Sequence, residues 1–217
     1  MDGNRRYARE RGLATLDGHR MGYTKAKEVA QWCRDAGVRH LILYAFSTEN
    51  WNRPPEEVAY LTDMMKKLLL SEVDELRKER GAVRFVGDLE RFGNDFAKQA
   101  RAFEAQNPAD PALTVIIALS YGGRAEIVRA VNKLLAEGGT RGTIDEKEFE
   151  KHLWTAGIPD PDLIVRTGGE RRLSGFLTWQ SVYSELFFLD TYWPAFSKKE
   201  FDEILATYAQ RERRMGK

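Results

Sequence analysis

Short stretches of this sequence gather the residue types that handle phosphate and a divalent cation. Asp2-Gly3-Asn4-Arg5-Arg6-Tyr7 sets one carboxylate beside a glycine and two guanidinium groups. Such a set could hold a metal–phosphate complex, although an acid near a chain end is more often simply solvated. Ser47-Thr48-Glu49-Asn50-Trp51-Asn52-Arg53 places hydroxyls, a carboxylate, amides, an indole and a guanidinium directly after an apolar run. An ordinary loop with an Asn-rich helix cap would read the same way. Arg166-Thr167-Gly168-Gly169-Glu170-Arg171-Arg172-Leu173-Ser174-Gly175 follows another apolar run. Its glycines permit left-handed backbone, so successive amides could point at an anion. Its arginines and serine are charge-assisted or neutral donors suited to phosphate oxygens. A glycine turn beside surface arginines is the plainer alternative. The stretch is not a Walker loop, because no Gly-Lys-Ser/Thr follows at the required spacing. His19 in Gly18-His19-Arg20 says little alone, and the Arg211–Arg214 run suits the C-terminal end of a helix dipole.

The set lacks a Ser-His-Asp or Cys-His order. It therefore favours an oligophosphate ligand with Mg²⁺ over hydrolysis through a covalent nucleophile. The 217 residues balance 34 basic against 33 acidic side chains, so the net charge of +1 gives no basic excess of the kind nucleic-acid binders carry. Cys33 is the sole cysteine, so no internal disulfide can form, which is compatible with a reducing cytoplasm. No apolar stretch approaches the ~18 residues of a membrane span. Met1–Arg11 is charged and has no apolar core, so it is not a secretory signal.

The elements that must position these stretches alternate. His40–Phe46, Val83–Val86, Leu113–Leu119, Leu163–Val165 and Leu186–Leu189 read as buried strands. Ala26, Val29, Ala30 and Cys33 mark one face of a helix that stops at Gly37. A longer helix opens at Pro54-Pro55, with Glu56 and Glu57 suited to the dipole of its first turn. Its inward positions are Val58, Leu61, Met65, Leu68, Val73 and Leu76. Another helix follows Gly122-Gly123, with Ile127, Val128, Val131, Leu134 and Leu135 expected inward. Thr143–Glu146 and Ser197–Glu200 have capping-box spacing, and Phe196 and Phe201 the spacing of a hydrophobic staple. The pattern predicts one α/β domain over residues 1–217, a mostly parallel sheet flanked by helices, with ligands bound beyond the carboxyl ends of the strands.

Taken in order, the segments resemble the cis-prenyltransferase family, the undecaprenyl and dehydrodolichyl diphosphate synthases. The matching blocks are MDGNRRYA, GHR, YAFSTENWNRP, GDLER, YGGRAEI, PDPDLIVRTGGERRLSGFLTWQ, YSELFF, WPAF and RERRMG. They span nearly the whole chain in family order. The resemblance implies condensation of isopentenyl diphosphate with an allylic diphosphate, farnesyl or geranylgeranyl, to a long-chain cis-polyprenyl diphosphate. Asp2 would hold Mg²⁺ on the allylic diphosphate, and Glu185 would complete the metal site. Gly3, Asn4, Arg5, Arg6, Tyr7, His19 and Arg53 would line the allylic site. Ser47, Asn50 and Trp51 would sit near the reacting carbons, with Asn50 assisting proton removal and Thr48 and Glu49 beside them. Arg166, Arg172, Leu173 and Ser174 would bind isopentenyl diphosphate. Arg214 and Gly216 would reach the isopentenyl site of a partner in a homodimer. A hydrophobic tunnel would run between the sheet and the long helices, in a cytoplasmic protein with peripheral membrane contact.

The sequence also departs from the family. The strand that precedes the MDGN block is missing, as in an N-terminally truncated chain, and the sheet should lack an inner strand. Thr15 stands where many members carry arginine, Gly175 where Asn or Asp is usual, and Arg5 and Tyr7 replace glycine and tryptophan. A non-catalytic partner subunit of a heteromeric prenyltransferase is the main alternative; such subunits lack the metal-binding acid.

Overall fold

The structure, a computed structural model, describes residues 1–71, 80–138 and 143–211, with the side chains of 68–71 outside the description. The expected inward positions Leu68, Val73 and Leu76 lie outside the described side chains, as do Arg214 and Gly216.

Strand β1 (His40–Ser47) pairs in parallel with β3 (Leu113–Tyr121), and β2 (Gly81–Val86) pairs in parallel along the other side of β3. Every residue of β3 is buried, which is why its sequence, LTVIIALSY, is an apolar run without alternation. The outer edge of β2 is covered by side chains of α4 (Asn94–Glu104) and the turn after it. Glu104 accepts from the Phe85 amide, and Asn107 exchanges two hydrogen bonds with Val83, at 3.0 and 2.7 Å. These bonds occupy backbone groups that would otherwise template a further strand. Strands β4 (Leu163–Arg166) and β5 (Glu185–Phe188) form a separate parallel pair. Among the described residues the strands thus form two sheets, of three and of two strands.

Helix α1 (Asn4–Glu10) lies against α2 (Thr15–Asp35). Helix α2 ends where Gly37 turns left-handed at φ 72°, with Val38 N donating to Cys33 O at 2.9 Å and Gly37 N to Arg34 O at 3.0 Å. That is the Schellman pattern its glycine predicts. Helix α3 (Pro55–Ser71) starts at the predicted prolines. One apolar cluster joins Val29 and Cys33 of α2, Phe46 of β1, Leu61 and Met65 of α3, and Val115 and Leu119 of β3. Helix α7 (Lys198–Ala209) has the predicted Ser197–Glu200 capping box, and its Phe196 and Phe201 pack on Trp32 with ring centroids 6.0 and 5.9 Å away.

Two local readings fail. Helix α5 (Gly123–Ala136) exposes Val128, Val131 and Leu135 and turns Gly123, Glu126 and Ala130 inward instead. Its buried stripe is narrow because a polar cluster around Glu126, not apolar packing, fills that side. The cap of α6 (Glu146–Glu150) is Asp145 accepting from Glu148 N at 2.8 Å, two residues beyond the expected Thr143. A carboxylate at that place is an equally good cap, so spacing could not choose between them.

Candidate active site

The carboxyl ends of β1 and β4 converge on a cavity of about 670 Å³. At one end its wall is polar: Asp2, Asn4, His19, Ser47, Asn50, Arg53, Arg166, Arg172 and Ser174, with Leu173 between the last two. Farther in it is apolar, with Val29, Cys33, Leu43, Leu61, Phe201 and Leu205, and at the amino ends of β1 and β4 it is polar again, with Arg39, His40, Asp160 and Asp162. Both β1 and β4 contribute to this wall, so the cavity runs into the space between the two sheets. Burial drives the Cys33 thiol up to about 12, so it is a neutral apolar wall group.

Asp2 is fixed mainly through its backbone. Its N–H donates to Thr167 Oγ1 at 3.0 Å, the Thr167 hydroxyl donates to Asp2 O at 2.9 Å, and Trp193 N donates to the same oxygen at 2.9 Å. The carboxylate accepts from Gly3 N at 2.7 Å and from Arg166 Nη2 at 3.0 Å, with Arg6 3.4 Å away. Partial burial works to raise its pKa, but the Arg166 and Gly3 hydrogen bonds and the two arginine charges outweigh it, so the net shift is downward. Asp2 is therefore a carboxylate, not a carboxylic acid, at neutral pH. The buried Met1 amine is pulled down to about 6 by desolvation, against the pull of Asp2.

Arg166 is the hub of this end. One nitrogen of its guanidinium holds Asp2, and the other donates to Ser174 Oγ at 2.8 Å and to the Arg172 carbonyl. Arg6 reaches Glu170 at 3.7 Å, and Arg172 pairs with the same carboxylate. Across the mouth, His19 Nε2 donates to Glu57 Oε1 at 3.0 Å, and Arg53 Nη1 donates to the same oxygen at 2.9 Å. Burial lowers the His19 pKa more than Glu57 raises it, and Arg53 and Arg5 add to the lowering, so the ring is neutral. Every arginine at the mouth is thus already held by a carboxylate, in a place where an incoming diphosphate can share the same donors.

Sequence reasoning brought Asp2, Asn4, His19, Ser47, Asn50, Arg53, Arg166, Arg172, Leu173 and Ser174 to one cavity. It placed other residues less well. Gly3, Arg5, Arg6, Tyr7, Thr48 and Glu49 stand behind or beside the wall. Tyr7 carries the Arg11 guanidinium over its ring at 3.8 Å, and Trp51 is a packing ring between Phe46 and Phe92 whose Nε1 donates to Ser120 Oγ at 2.9 Å. Asn50 Oδ1 accepts from Ser47 N at 3.0 Å, so the cap reading is also correct. Glu185 pairs with Leu163 at the start of β4, three residues before Arg166. At ~3.3 Å per residue it is about 10 Å down the strand from Asp2's end, and it is bound to Arg211. The chain does not bring it to Asp2. The glycine amides predicted to face an anion are occupied: Gly168 N donates to Thr191 O and Gly169 N to Leu189 O, both at 2.8 Å. Gly168, at φ 91°, instead admits close neighbours, since a Cβ there would lie 2.9 Å from Arg6 Nη2. Glu57 and Thr167 were missed as site residues. The i,i+4 spacing of Arg53 and Glu57 was the available signal for the first; Thr167 had none beyond its loop.

Fold and site together define an α/β chain with an arginine-rich cavity at the carboxyl ends of its strands. The family model of the undecaprenyl diphosphate synthases matches residues 1–216. The isoprenyl transferase of Chromobacterium violaceum is 44% identical, covering all of this chain and 86% of that protein. That of Thermotoga maritima is 41% identical, covering all of this chain and 94% of its own. The crystal structure of lavandulyl diphosphate synthase from Lavandula x intermedia, in complex with dimethylallyl diphosphate, is similar at a TM-score of 0.92 and 33% identity, over all of this chain and 95% of that one. The chain belongs to the cis-prenyltransferase family. It is a prenyltransferase, and its substrates are isoprenoid diphosphates.

Proposed function

We propose that this enzyme condenses isopentenyl diphosphate with an allylic diphosphate, farnesyl or geranylgeranyl, in the cis configuration, and repeats the step to give a long polyprenyl diphosphate. The observation that carries the reading is the cavity itself, charged at the carboxyl ends of the strands with an apolar stretch beyond. A volume of about 670 Å³ lies within the ~300–1,000 Å³ usual for ligand sites and suits a diphosphate head with a short isoprenoid tail. In each condensation the allylic C–O bond breaks as diphosphate leaves with the electron pair. The alkene of isopentenyl diphosphate forms the new C–C bond, and one proton is lost from the adjoining carbon.

Asp2, Asn4, His19 and Arg53 are the allylic diphosphate site in this reading, with Gly3, Arg5, Arg6 and Tyr7 shaping it. Arg166, Arg172, Leu173 and Ser174 take isopentenyl diphosphate. Ser47 and Asn50 lie where the reacting carbons meet, and Asn50 assists proton removal by hydrogen bonding. Among the described residues no three His, Cys, Asp or Glu side chains cluster as a closed metal cage. Mg²⁺ is commonly held by one or two carboxylates plus substrate phosphates, so a single ionised acid at the diphosphate end fits it. Asp2 is that acid, and when bound the ion would neutralise charge on the leaving diphosphate. The arginines supply the remaining fixed donors, which need no reorganisation as charge develops. Apolar walls keep water from the electron-poor allylic carbon.

We also read the protein as a homodimer. Val182, Tyr183 and Leu186 are exposed at 74%, 69% and 39%, at and just before β5. Exposed apolar side chains this close together in the chain are what a subunit interface would cover. The Arg214–Gly216 tail would then serve the partner's isopentenyl site. A cytoplasmic location with peripheral membrane contact suits a lipid product, and no described helix is long and apolar enough to cross a membrane. The alternative of a non-catalytic subunit is disfavoured by the ionised Asp2. Purified protein incubated with labelled isopentenyl diphosphate, farnesyl or geranylgeranyl diphosphate and Mg²⁺ should yield extended polyprenyl diphosphates on sizing of the lipid products. Absence of any C–C condensation product would overturn the proposal.

A further inference from the structure

The Arg6 guanidinium sits in a slot built from segments far apart in the chain. It lies over the Tyr192 ring, with Arg6 Cζ 5.4 Å from the ring centroid. Gly168 borders the same group, and a Cβ there would stand 2.9 Å from Arg6 Nη2, so only a glycine leaves room. Two carboxylates share the charge, Asp2 at 3.4 Å and Glu170 at 3.7 Å.

The walls of the slot are tied to one another. Gly168 N donates to the carbonyl of Thr191, the residue before Tyr192, at 2.8 Å. Trp193 N, the residue after it, donates to Asp2 O at 2.9 Å. Tyr192 itself packs on the bare Cα of Gly3, where a Cβ would stand 2.5 Å from Tyr192 Cδ1. Its hydroxyl donates to Glu10 Oε1, on the last residue of α1. One side chain thus meets the N-cap of α1, its last residue, and the arginine between them.

The carboxylates alone would not fix Arg6. Its side chain is 32% exposed, and ion pairs open to water hold a long side chain weakly. A ring face within ~6 Å adds an attraction that water screens less. We propose that Tyr192 is a positioning residue: its ring holds the Arg6 guanidinium at the Asp2 carboxylate, so that this donor is in place before an allylic diphosphate arrives. Holding a group in its working geometry beforehand removes the ordering cost from the binding step. The inference rests on the reading of Arg6 as part of the allylic site. Tyr192 is not among the cavity's lining residues and acts through Arg6.

Tyr192→Leu removes the ring face. Steady-state kinetics with each substrate varied in turn should give a KM for the allylic diphosphate raised about fivefold, the size of a partly exposed cation–π contact. The KM for isopentenyl diphosphate should stay within about twofold. A purely structural role would lower Tm and the concentration of active enzyme and leave both KM values alone, and that outcome overturns the proposal. Tyr192→Phe keeps the ring and gives up only the bond to Glu10, so it should restore the allylic KM to within about twofold of the wild type. A Phe variant as poor as the Leu variant would assign the effect to the hydroxyl and overturn the role of the ring. Arg6→Gln separates this inference from the reading beneath it. If it leaves the allylic KM unchanged, the assignment of Arg6 to that site fails. If it raises that KM and Tyr192→Leu does not, the positioning role fails. In the double variant Tyr192→Leu should add almost nothing to the loss from Arg6→Gln, because the ring acts through that guanidinium; losses that multiply in full would overturn the proposal. Should Tyr192→Leu not fold, Tyr192→Met fills the same space without a ring face and is held to the same results.

Discussion

The replacement Gly18→Ala tests whether the seating of α1 on α2 places the allylic end of the site. A Cβ at Gly18 would stand 2.3 Å from the Asn4 carbonyl oxygen and 3.0 Å from Ala8 Cβ. Even a close C···O contact is about 3.3 Å, so the two helices must part by roughly 1 Å. The carbonyl is backbone and cannot rotate away. Overpacking of this kind costs ~1–3 kcal/mol, while alanine regains about 1 kcal/mol of helix propensity over glycine. The net loss is therefore about 0–2 kcal/mol, and at ~2–4 °C per kcal/mol for a chain of this size the Tm should fall by less than about 8 °C. Activity should suffer more. Asp2 stays clamped to Thr167 and Trp193 while Asn4, Arg5 and Arg6 move away with α1, and a shift of ~1 Å at a positioning element can cost about a hundredfold. Initial rates of prenyl transfer at saturating isopentenyl diphosphate should show kcat/KM for the allylic substrate down by tenfold to a hundredfold. Gly37→Ala is the control: its φ of +72° strains a side chain, yet no atom lies within 4 Å. It should lower Tm by a few degrees and leave the rate unchanged. A Gly18→Ala enzyme with the wild-type rate would refute the idea that α1 must sit this close.

Asp2→Ala should abolish prenyl transfer with little change in Tm, and EDTA should stop the wild-type reaction until Mg²⁺ is restored; turnover in either case would remove the acid or the ion from the chemistry. His19 has a pKa held below its ordinary 6.5, so the unfolded chain takes up this proton first and stability declines as pH falls below 6.5. His19→Gln keeps a neutral donor for Glu57 and should flatten that part of the Tm–pH profile, as thermal melts between about pH 7 and 5 would register. Arg166→Lys keeps the charge and loses the fork, so KM should rise for both diphosphates, unlike the one-sided effect at Tyr192; an unchanged allylic KM would show that the contact with Asp2 is idle.

The parallel sheet was legible because buried strands are written as unbroken apolar runs: β1 and β3 were found to within one or two residues at each end. Helix ends with a chemical mark were equally plain, as Gly37, Pro55 and Ser197 show. Helix α5 was misread because period alone assumes that the buried face is the apolar one. Its Val128 and Leu135 are exposed at 59% and 64%, while a glutamate is fully buried. Nothing local distinguishes a glutamate that will meet four donors, two from Thr155 and one each from Tyr121 and Gln180, from one that will meet water. The glycine loop failed for a related reason. Its left-handed residues were correctly expected, but whether their amides face a ligand or the carbonyls of residues 189 and 191 is a tertiary fact. Glu57, read as a dipole residue for α3, turned inward because His19 and Arg53 offered it donors.

Asp2 shows the same limit in its strongest form. Its backbone is paired with Thr167, 165 residues along the chain, so no window of sequence could have located it. What fixes the carboxylate's surroundings is Arg166, the neighbour of that threonine at the end of β4. In an extended strand successive side chains leave on opposite faces, so Thr167 can grip the Asp2 backbone while Arg166 reaches its carboxylate from the other side. The same guanidinium then spans to Ser174. A planar group with two parallel edges can do this at fixed geometry; an ammonium on a flexible stem cannot. The acid that would carry the metal and the loop that would carry the second diphosphate are thus spaced by one rigid side chain, not by separate elements whose motions would add. For a reaction that requires two diphosphates to approach without either being bound too loosely, that shared spacer is the economical place to set the distance between them.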